Sequence, residues 1–226
     1  MEAQHRISTR KLVDSDREQA LLEDLLESVK PPLAEGEHLH YLLFTPFRYP
    51  PLPHGSRFGS RWEPGIWYGS ESLPAAFAEV AYYRLLFLEG TDADLGAVET
   101  DLSAFRASVA TPRGIDLSRP PFDRWRATLA SKTSYTATQP LGTAMREAGV
   151  EAFRYVSARD SEGRLNVGVF TPRAFATRRP KGLQTWHSIA TRAAVEFAKL
   201  DYFERATFRF ARDTFLVRGV LPHPAA

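Results

Sequence analysis

Residues 66–90 read IWYGSESLPAAFAEVAYYRLLFLEG, and the order of signals in this stretch decides the fold. Ile66 to Gly69 are rich in aromatic and β-branched character and read as a strand. Ser72 then offers an N-cap oxygen, Pro74 suits a first helical turn, and Gly90 gives a stop. Apolar residues lie on every side of the intervening segment, which predicts a largely buried helix. Glu79 is the only charge in the run PAAFAEVAYY, and a buried carboxylate is expensive unless something pairs with it. Two readings follow: a carboxylate turned outward or paired with an arginine for structure, or an anion kept for chemistry. Cleavage of an N-glycosidic bond has use for such an anion, because its transition state is oxocarbenium-like and positively charged.

On the N-terminal side, Tyr41 to Phe44 read as a strand, and FRYPPLPHGSRF (47–58) reads as a long Pro- and Gly-rich loop. Loops of that length inside a domain usually have a function. Arg48 and Arg57 bracket it, and guanidinium forks suit phosphate oxygens. Arg61, four residues on, is an alternative to Arg57. Tyr68 closes the strand before the helix carrying Glu79 and offers either a core ring or a stacking platform for a planar heterocycle. Farther upstream, Ser15 and Glu18 form a capping box for an amphipathic helix with Leu21, Leu22, Leu25, Leu26 and Val29 on its apolar side, ended by Pro31-Pro32.

On the C-terminal side, residues 94–112 suggest one or two strands, and a helix over Leu141 to Ala148 stops at Gly149. EAFRYVSA (151–158) and LNVGVF (165–170) then read as paired strands joined by a turn through Asp160 to Gly163. Ser157 ends the first of these strands and Asn166 opens the second, where a hydroxyl and an amide can meet a phosphate or ribose. The tail reads as a helix over Ile189 to Leu200 and strands in ERATFRFA (204–211) and TFLVRG (214–219).

Composition excludes several classes. With 226 residues, 43% hydrophobic and 25% charged, the chain has enough apolar material for a core and is not disordered. A net charge of +2 gives none of the basic field of a nucleic-acid binder, whatever the sequence pI of about 8.9 suggests. Cysteine is absent, so disulfides, thiolate metal sites and a cysteine nucleophile are ruled out. His38, His40 and His54 lack the spacing of a metal site, and no metal is expected. No GxGxxG, Walker or GxSxG motif occurs. MEAQHRISTRKLVDSD has no apolar signal region and no run spans a membrane, so the expected location is cytoplasmic.

Taken together, FRYPP (47–51), GSRF (55–58), PGIWYG (64–69), AAFAEVAYYR (75–84) and YVSARDSEGRLNVGVF (155–170) resemble the RES-domain family, named for its arginine, glutamate and serine. The spacing Arg57, Tyr68, Glu79, eleven and eleven residues, agrees with that family's pattern. The family's two arginines fall on Arg48 and Arg57, its tyrosine on Tyr68, its acid on Glu79 and its serine on Ser157. The chain departs from the pattern in reading GSRFGSRWEPG where many members read GGRWN, and in the short spacing from Arg48 to Arg57.

The resemblance implies an α+β fold similar to ADP-ribosyltransferases, with split β-sheets, flanking helices and a cleft for NAD+. The expected layout is a helical extension over 1–40, the RES domain over 41–175 and a C-terminal extension over 176–226 packed on it. The implied activity is that of a toxin of a toxin–antitoxin pair, neutralised by an Xre-family antitoxin, that cleaves the nicotinamide–ribose bond of NAD+ by hydrolysis or phosphorolysis. Glu79, Arg57 and Tyr68 would be catalytic; Arg48, Arg57, Tyr68, Ser157 and Asn166 would bind the dinucleotide. The alternatives are ADP-ribosyl transfer to a protein, a non-enzymatic protein-binding module and a ribonuclease. The acceptor, the antitoxin and the oligomeric state, a homo-oligomer included, are left open by the sequence.

Overall fold

A computed structural model of the chain describes residues 12–29, 36, 38–49 and 53–224. The chain divides into two compact units, Met1–Ala34 and Glu35–Ala226. In the first, helix α1 spans Asp16–Ser28. Ser15 Oγ accepts from the Glu18 amide at 3.2 Å, and the Glu18 carboxylate accepts in return from the Asp14 amide at 2.9 Å, so the capping box closes one residue earlier than its usual form. Leu21 and Leu25 lie on the exposed side of this helix, and Val29, just past its end, is exposed as well. The Pro31-Pro32 stop lies outside the described residues.

The second unit is α+β, and its described residues form two separate four-stranded sheets. Its first helix, α2 (Tyr41–Arg48), replaces the strand expected at Tyr41 to Phe44. The aromatic residues there favour a strand, but His40 Nδ1 accepts from the Leu42 amide at 3.3 Å and starts a helix instead. Pro46 lies inside α2 and has no N–H to give the Leu42 carbonyl four residues back. The Trp67 indole N–H fills that vacancy at 3.2 Å, so the proline's defect becomes the joint between α2 and the first sheet.

The first sheet contains β1 (Trp67–Ser70), β3 (Gly114–Asp116), β4 (Ala152–Val156) and β5 (Leu165–Val169) in the order β1-β5-β4-β3. Only the β3–β4 pairing is parallel. One face packs on Leu43, Ala174 and Phe175; the other carries Phe58, Phe153, Tyr155 and Phe170. Register puts Tyr68 opposite Gly168 and Phe153 opposite the same glycine, while Ser70 and Tyr155 both flank Asn166. With a two-residue alternation, Tyr68, Ser70, Tyr155 and Asn166 therefore share one face.

Helix α3 (Leu73–Glu89) joins this sheet to the second. Ser72 caps it through the Ala75 amide, and the Gly90 amide closes it on Leu86 O at 3.0 Å. One side of α3 buries Phe77, Ala81, Tyr82 and Leu85 against Trp186, Val195, Phe197 and Phe215. The Phe77 and Phe197 rings stack with centroids 4.3 Å apart. Each such ring contributes about 1.5–3 kcal/mol by burial.

The second sheet is wholly antiparallel, in the order β2-β6-β7-β8, with β2 at Val98–Arg106, β6 at Lys181–Ala190, β7 at Ala194–Lys199 and β8 at Thr207–Ala211. Residues 176–226 thus supply three of its four strands. The helix expected over Ile189 to Leu200 is instead a hairpin. Its alanines suit a helix, yet Ala194, Val195 and Phe197 are buried while Glu196 and Ala198 are exposed, which is mostly the period of a strand. Thr191 Oγ1 accepts the amides of Ala193 and Ala194 and sets the turn. The stretch 214–219 is likewise not a strand, since Arg212–Phe215 form a 3-10 turn. Helix α4 (Arg126–Leu129) and helix α5 (Thr138–Glu147) flank the first sheet. Among the described residues, no helix is long and apolar enough to cross a membrane.

Candidate active site

Glu79 projects from α3 toward the end of β4 and β5. Its Oε1 accepts two hydrogen bonds, from Ser157 Oγ and from Asn166 Nδ2, each at 2.7 Å. Both donors are neutral, and both residues are buried, Asn166 to 2% exposure. Asn166 is held in turn, its Oδ1 accepting from Ser70 Oγ at 2.6 Å. Ser157 Oγ also accepts from the amides of Arg159 and Asp160, at 3.1 and 3.0 Å, so the hydroxyl's proton has one acceptor left, Glu79. Among the described residues the second carboxylate oxygen of Glu79 makes no hydrogen bond, and no cation is ion-paired with the group. Of the two sequence readings, the structural Arg pair is absent.

Tyr68 and Arg57 meet through a tight turn. Gly55, at φ 72°, opens it in the left-handed region that favours glycine. Ser56 and Gly59 close it with reciprocal backbone bonds. The Tyr68 hydroxyl accepts from the Phe58 amide at 3.2 Å and is hydrogen-bonded to Ser56 Oγ at 2.9 Å. Gly142 of α5 lies against the same turn, and a Cβ there would fall 1.7 Å from Phe58 O. The turn therefore aims Arg57 inward, where it is 6% exposed. Its Nη1 donates to Leu129 O at 3.2 Å and Ser131 O at 2.8 Å, and its Cζ sits 4.9 Å above the Tyr135 ring. Arg61 is exposed and stacks on Trp62 at 4.0 Å, which leaves Arg57 as the arginine of the interior.

Three phenols, Tyr82, Tyr83 and Tyr155, feel the charge of Glu79, and a fourth, Tyr68, lies against Tyr155. Burial pushes the Tyr68 hydroxyl up to about 12, against the opposing pull of Ser56 and the Phe58 amide. Burial, and then the negative charge of Glu79, push Tyr155 upward, with Arg57 pulling the other way; Tyr155 thus feels both groups. Tyr83, four residues along α3 from Glu79, is pushed up by burial of its hydroxyl and by the adjoining Tyr135 phenol. Tyr82 is raised to about 12, chiefly by burial, despite the pull of Arg159. All four are neutral donors at physiological pH. A groove of about 400 Å³ borders Glu79 and Tyr83 on the other side of α3, where Val80, Arg84, Phe87 and Leu88 face Val98 and Ala190 of the second sheet; Arg57, Tyr68, Ser157 and Asn166 do not line it. That volume is in the range of small-molecule sites.

The structure thus joins Glu79, Ser157 and Asn166 directly, and joins Tyr68 to Arg57 through the Ser56–Gly59 turn. Arg48 ends α2, on the far side of β1, and is not among the groups bonded to Glu79. His40 has Nδ1 engaged in capping α2. Sequence reasoning passed over Ser70, Tyr83, Tyr135 and Arg159. For Arg159 a signal existed, since it lies two residues beyond Ser157 at a strand end; Tyr135, in the polar run SKTSYTAT, carries none.

Among curated proteins no match to the chain is found. A family model does match it, that of the RES domain, over residues 32–190. That span is well over half of the chain and contains every residue of the Glu79 cluster. The chain belongs to the RES-domain family.

Proposed function

We propose that this protein cleaves the bond between nicotinamide and ribose in NAD+. The observation that carries the reading is the state of Glu79: one oxygen is fixed by two neutral donors, and among the described residues the other has no hydrogen-bond partner and no cation is paired with the group. A carboxylate so arranged has an oxygen left for a ligand. Its free oxygen accepts a hydrogen bond from a hydroxyl of the nicotinamide-side ribose, and its charge stabilises the oxocarbenium character that develops as the bond breaks.

In that step the C–N electron pair leaves with nicotinamide and neutralises its ring. Water then adds to the ribose carbon and loses a proton, or phosphate adds in its place; transfer to a protein side chain is the same chemistry with a third acceptor. Arg57 faces the pyrophosphate, for which its fork is matched. Tyr68 contributes chiefly by holding the Ser56–Gly59 turn that aims Arg57, with its ring edge toward Tyr155 at 6.4 Å. Ser157 and Asn166 fix the angle of Glu79. NAD+ is the substrate, and no metal takes part. Depletion of NAD+ makes the protein a toxin that needs a neutralising partner, an Xre-family antitoxin.

The test is nicotinamide release from NAD+ by the purified chain, with and without phosphate. Release that rises with phosphate and yields a ribose phosphate product assigns phosphorolysis, and release indifferent to phosphate assigns hydrolysis. No release, even after antitoxin-free preparation and with cellular protein added as acceptor, rejects the reading.

A further inference from the structure

Arg159 is a buried guanidinium, 3% exposed, and among the described residues no carboxylate pairs with it. The adjacent Asp160 is not available, because its carboxylate is engaged by the Arg164 side chain at 2.7 Å and the Arg164 amide at 2.8 Å. Arg159 Nη1 donates to Lys132 O at 3.2 Å, its Cζ lies 3.5 Å over the Tyr82 ring, and its Nη2 is buried with no partner at all. Its own amide is bonded to Ser157 Oγ, the hydroxyl that orients Glu79. A cation with a spare donor is therefore built into the same turn that fixes the candidate catalytic carboxylate.

Arg57 repeats the pattern from another element. It too is buried, paired with no carboxylate among the described residues, laid over a tyrosine ring and bonded to backbone carbonyls, those of Leu129 and Ser131. The two guanidiniums thus converge on one short stretch, residues 129–132, and among the described residues its carbonyl oxygens are the acceptors of their hydrogen bonds. Beyond it, residues 131–136 form no helix or strand and hold themselves by local turns, with Ser131 Oγ accepting from the Thr133 and Ser134 amides. Carbonyl dipoles stabilise a buried cation less than an anion does, and a guanidinium fork with one prong unused matches two phosphate oxygens.

We propose that Arg159 is a second phosphate-binding residue of this site, and that the carbonyls of residues 129–132 occupy the Arg57 and Arg159 donors until an anionic dinucleotide displaces them. The inference rests on the NAD+ reading above, since it names the part of the ligand that the two arginines hold. The ligand class is one with a pyrophosphate bridge; a nucleoside without phosphate gains nothing from either residue. Residues 129–136 move on binding, because their anchoring donors turn to the ligand.

The experiment measures binding of ADP-ribose and of nicotinamide riboside to the full chain by calorimetry, for the wild type, Arg159→Gln and Arg159→Lys, with thermal melts alongside. Arg159→Gln is expected to weaken ADP-ribose by about tenfold or more while leaving nicotinamide riboside within about twofold, with Arg159→Lys between. Equal loss for both ligands, together with a lowered melting temperature, makes Arg159 a structural brace and overturns the proposal. Unchanged ADP-ribose affinity in a folded Arg159→Gln protein overturns it while the NAD+ reading stands. Wild type that binds no ADP-ribose takes both down. If the variants do not fold, hydrogen exchange in the wild type decides: ADP-ribose, but not nicotinamide riboside, alters exchange at residues 130–136, and no change there overturns the proposal.

Discussion

Ser157 and Glu79 are 78 residues apart in sequence and joined by a 2.7 Å hydrogen bond in which the serine donates. The same hydroxyl accepts from two buried amides. Replacing Ser157 with Ala leaves both amides without that acceptor, at a cost of about 1–3 kcal/mol. It also leaves Asn166 as the sole anchor of the carboxylate. The expected outcome is a lower melting temperature together with a kcat for NAD+ reduced by about 10–100-fold, smaller than the loss on removing the carboxylate itself. Parallel melts and rate measurements check both parts.

Asn166→Asp places a second carboxylate within hydrogen-bond distance of Glu79, where the amide now donates at 2.7 Å. Two like charges in contact cannot both ionise freely, so the pair takes up a proton at higher pH than either alone. Activity is expected to fall at neutral pH, and its acid limb to move toward higher pH. A pH profile that keeps its limb in place contradicts this arrangement.

Arg57→Lys replaces a guanidinium whose Nη1 donates to two carbonyls with a single ammonium. KM for NAD+ is expected to rise by about tenfold or more, with a smaller change in kcat. Arg61→Ala, on an exposed residue stacked on Trp62, is expected to leave both constants near the wild-type values. Steady-state kinetics of the two variants side by side separate the arginines.

The buried phenols predict the alkaline limit of stability. Tyrosine in an unfolded chain ionises near 10, whereas burial holds Tyr68 and Tyr82 up to about 12. Their contribution is complete below about pH 10 and is lost as pH rises toward 12, because the unfolded chain releases its protons first. Phenolate absorbance is expected to lag behind free tyrosine on titration and to catch up when circular dichroism reports unfolding.

What the sequence revealed follows the physics of local signals. Helix α3 carries its cap, proline and stop within its own residues, and the pairing of β4 with β5 follows from alternation around a turn. Glu79 stood out because a lone charge in an apolar run is costly. Tyr41 to Phe44 misled, because helix formation there depends on the His40 cap and on Trp67, 25 residues away, which satisfies the carbonyl exposed by Pro46. The Ala-rich hairpin at 189–200 is strand because it pairs with β2 and β8, partners invisible in the local pattern. Arg159 and Tyr135 matter only through residues far from them in sequence, and composition cannot show that.

Glu79→Gln is the sharpest variant, since the amide oxygen still accepts from Ser157 and Asn166 while the charge is gone. NAD+ concentration over time with purified wild type and Glu79→Gln tests the central claim most directly. The account predicts steady loss with wild type and a rate lower by on the order of 10²–10³-fold with the variant, whose fold and melting temperature stay close to wild type. Equal NAD+ loss by both proteins would contradict it.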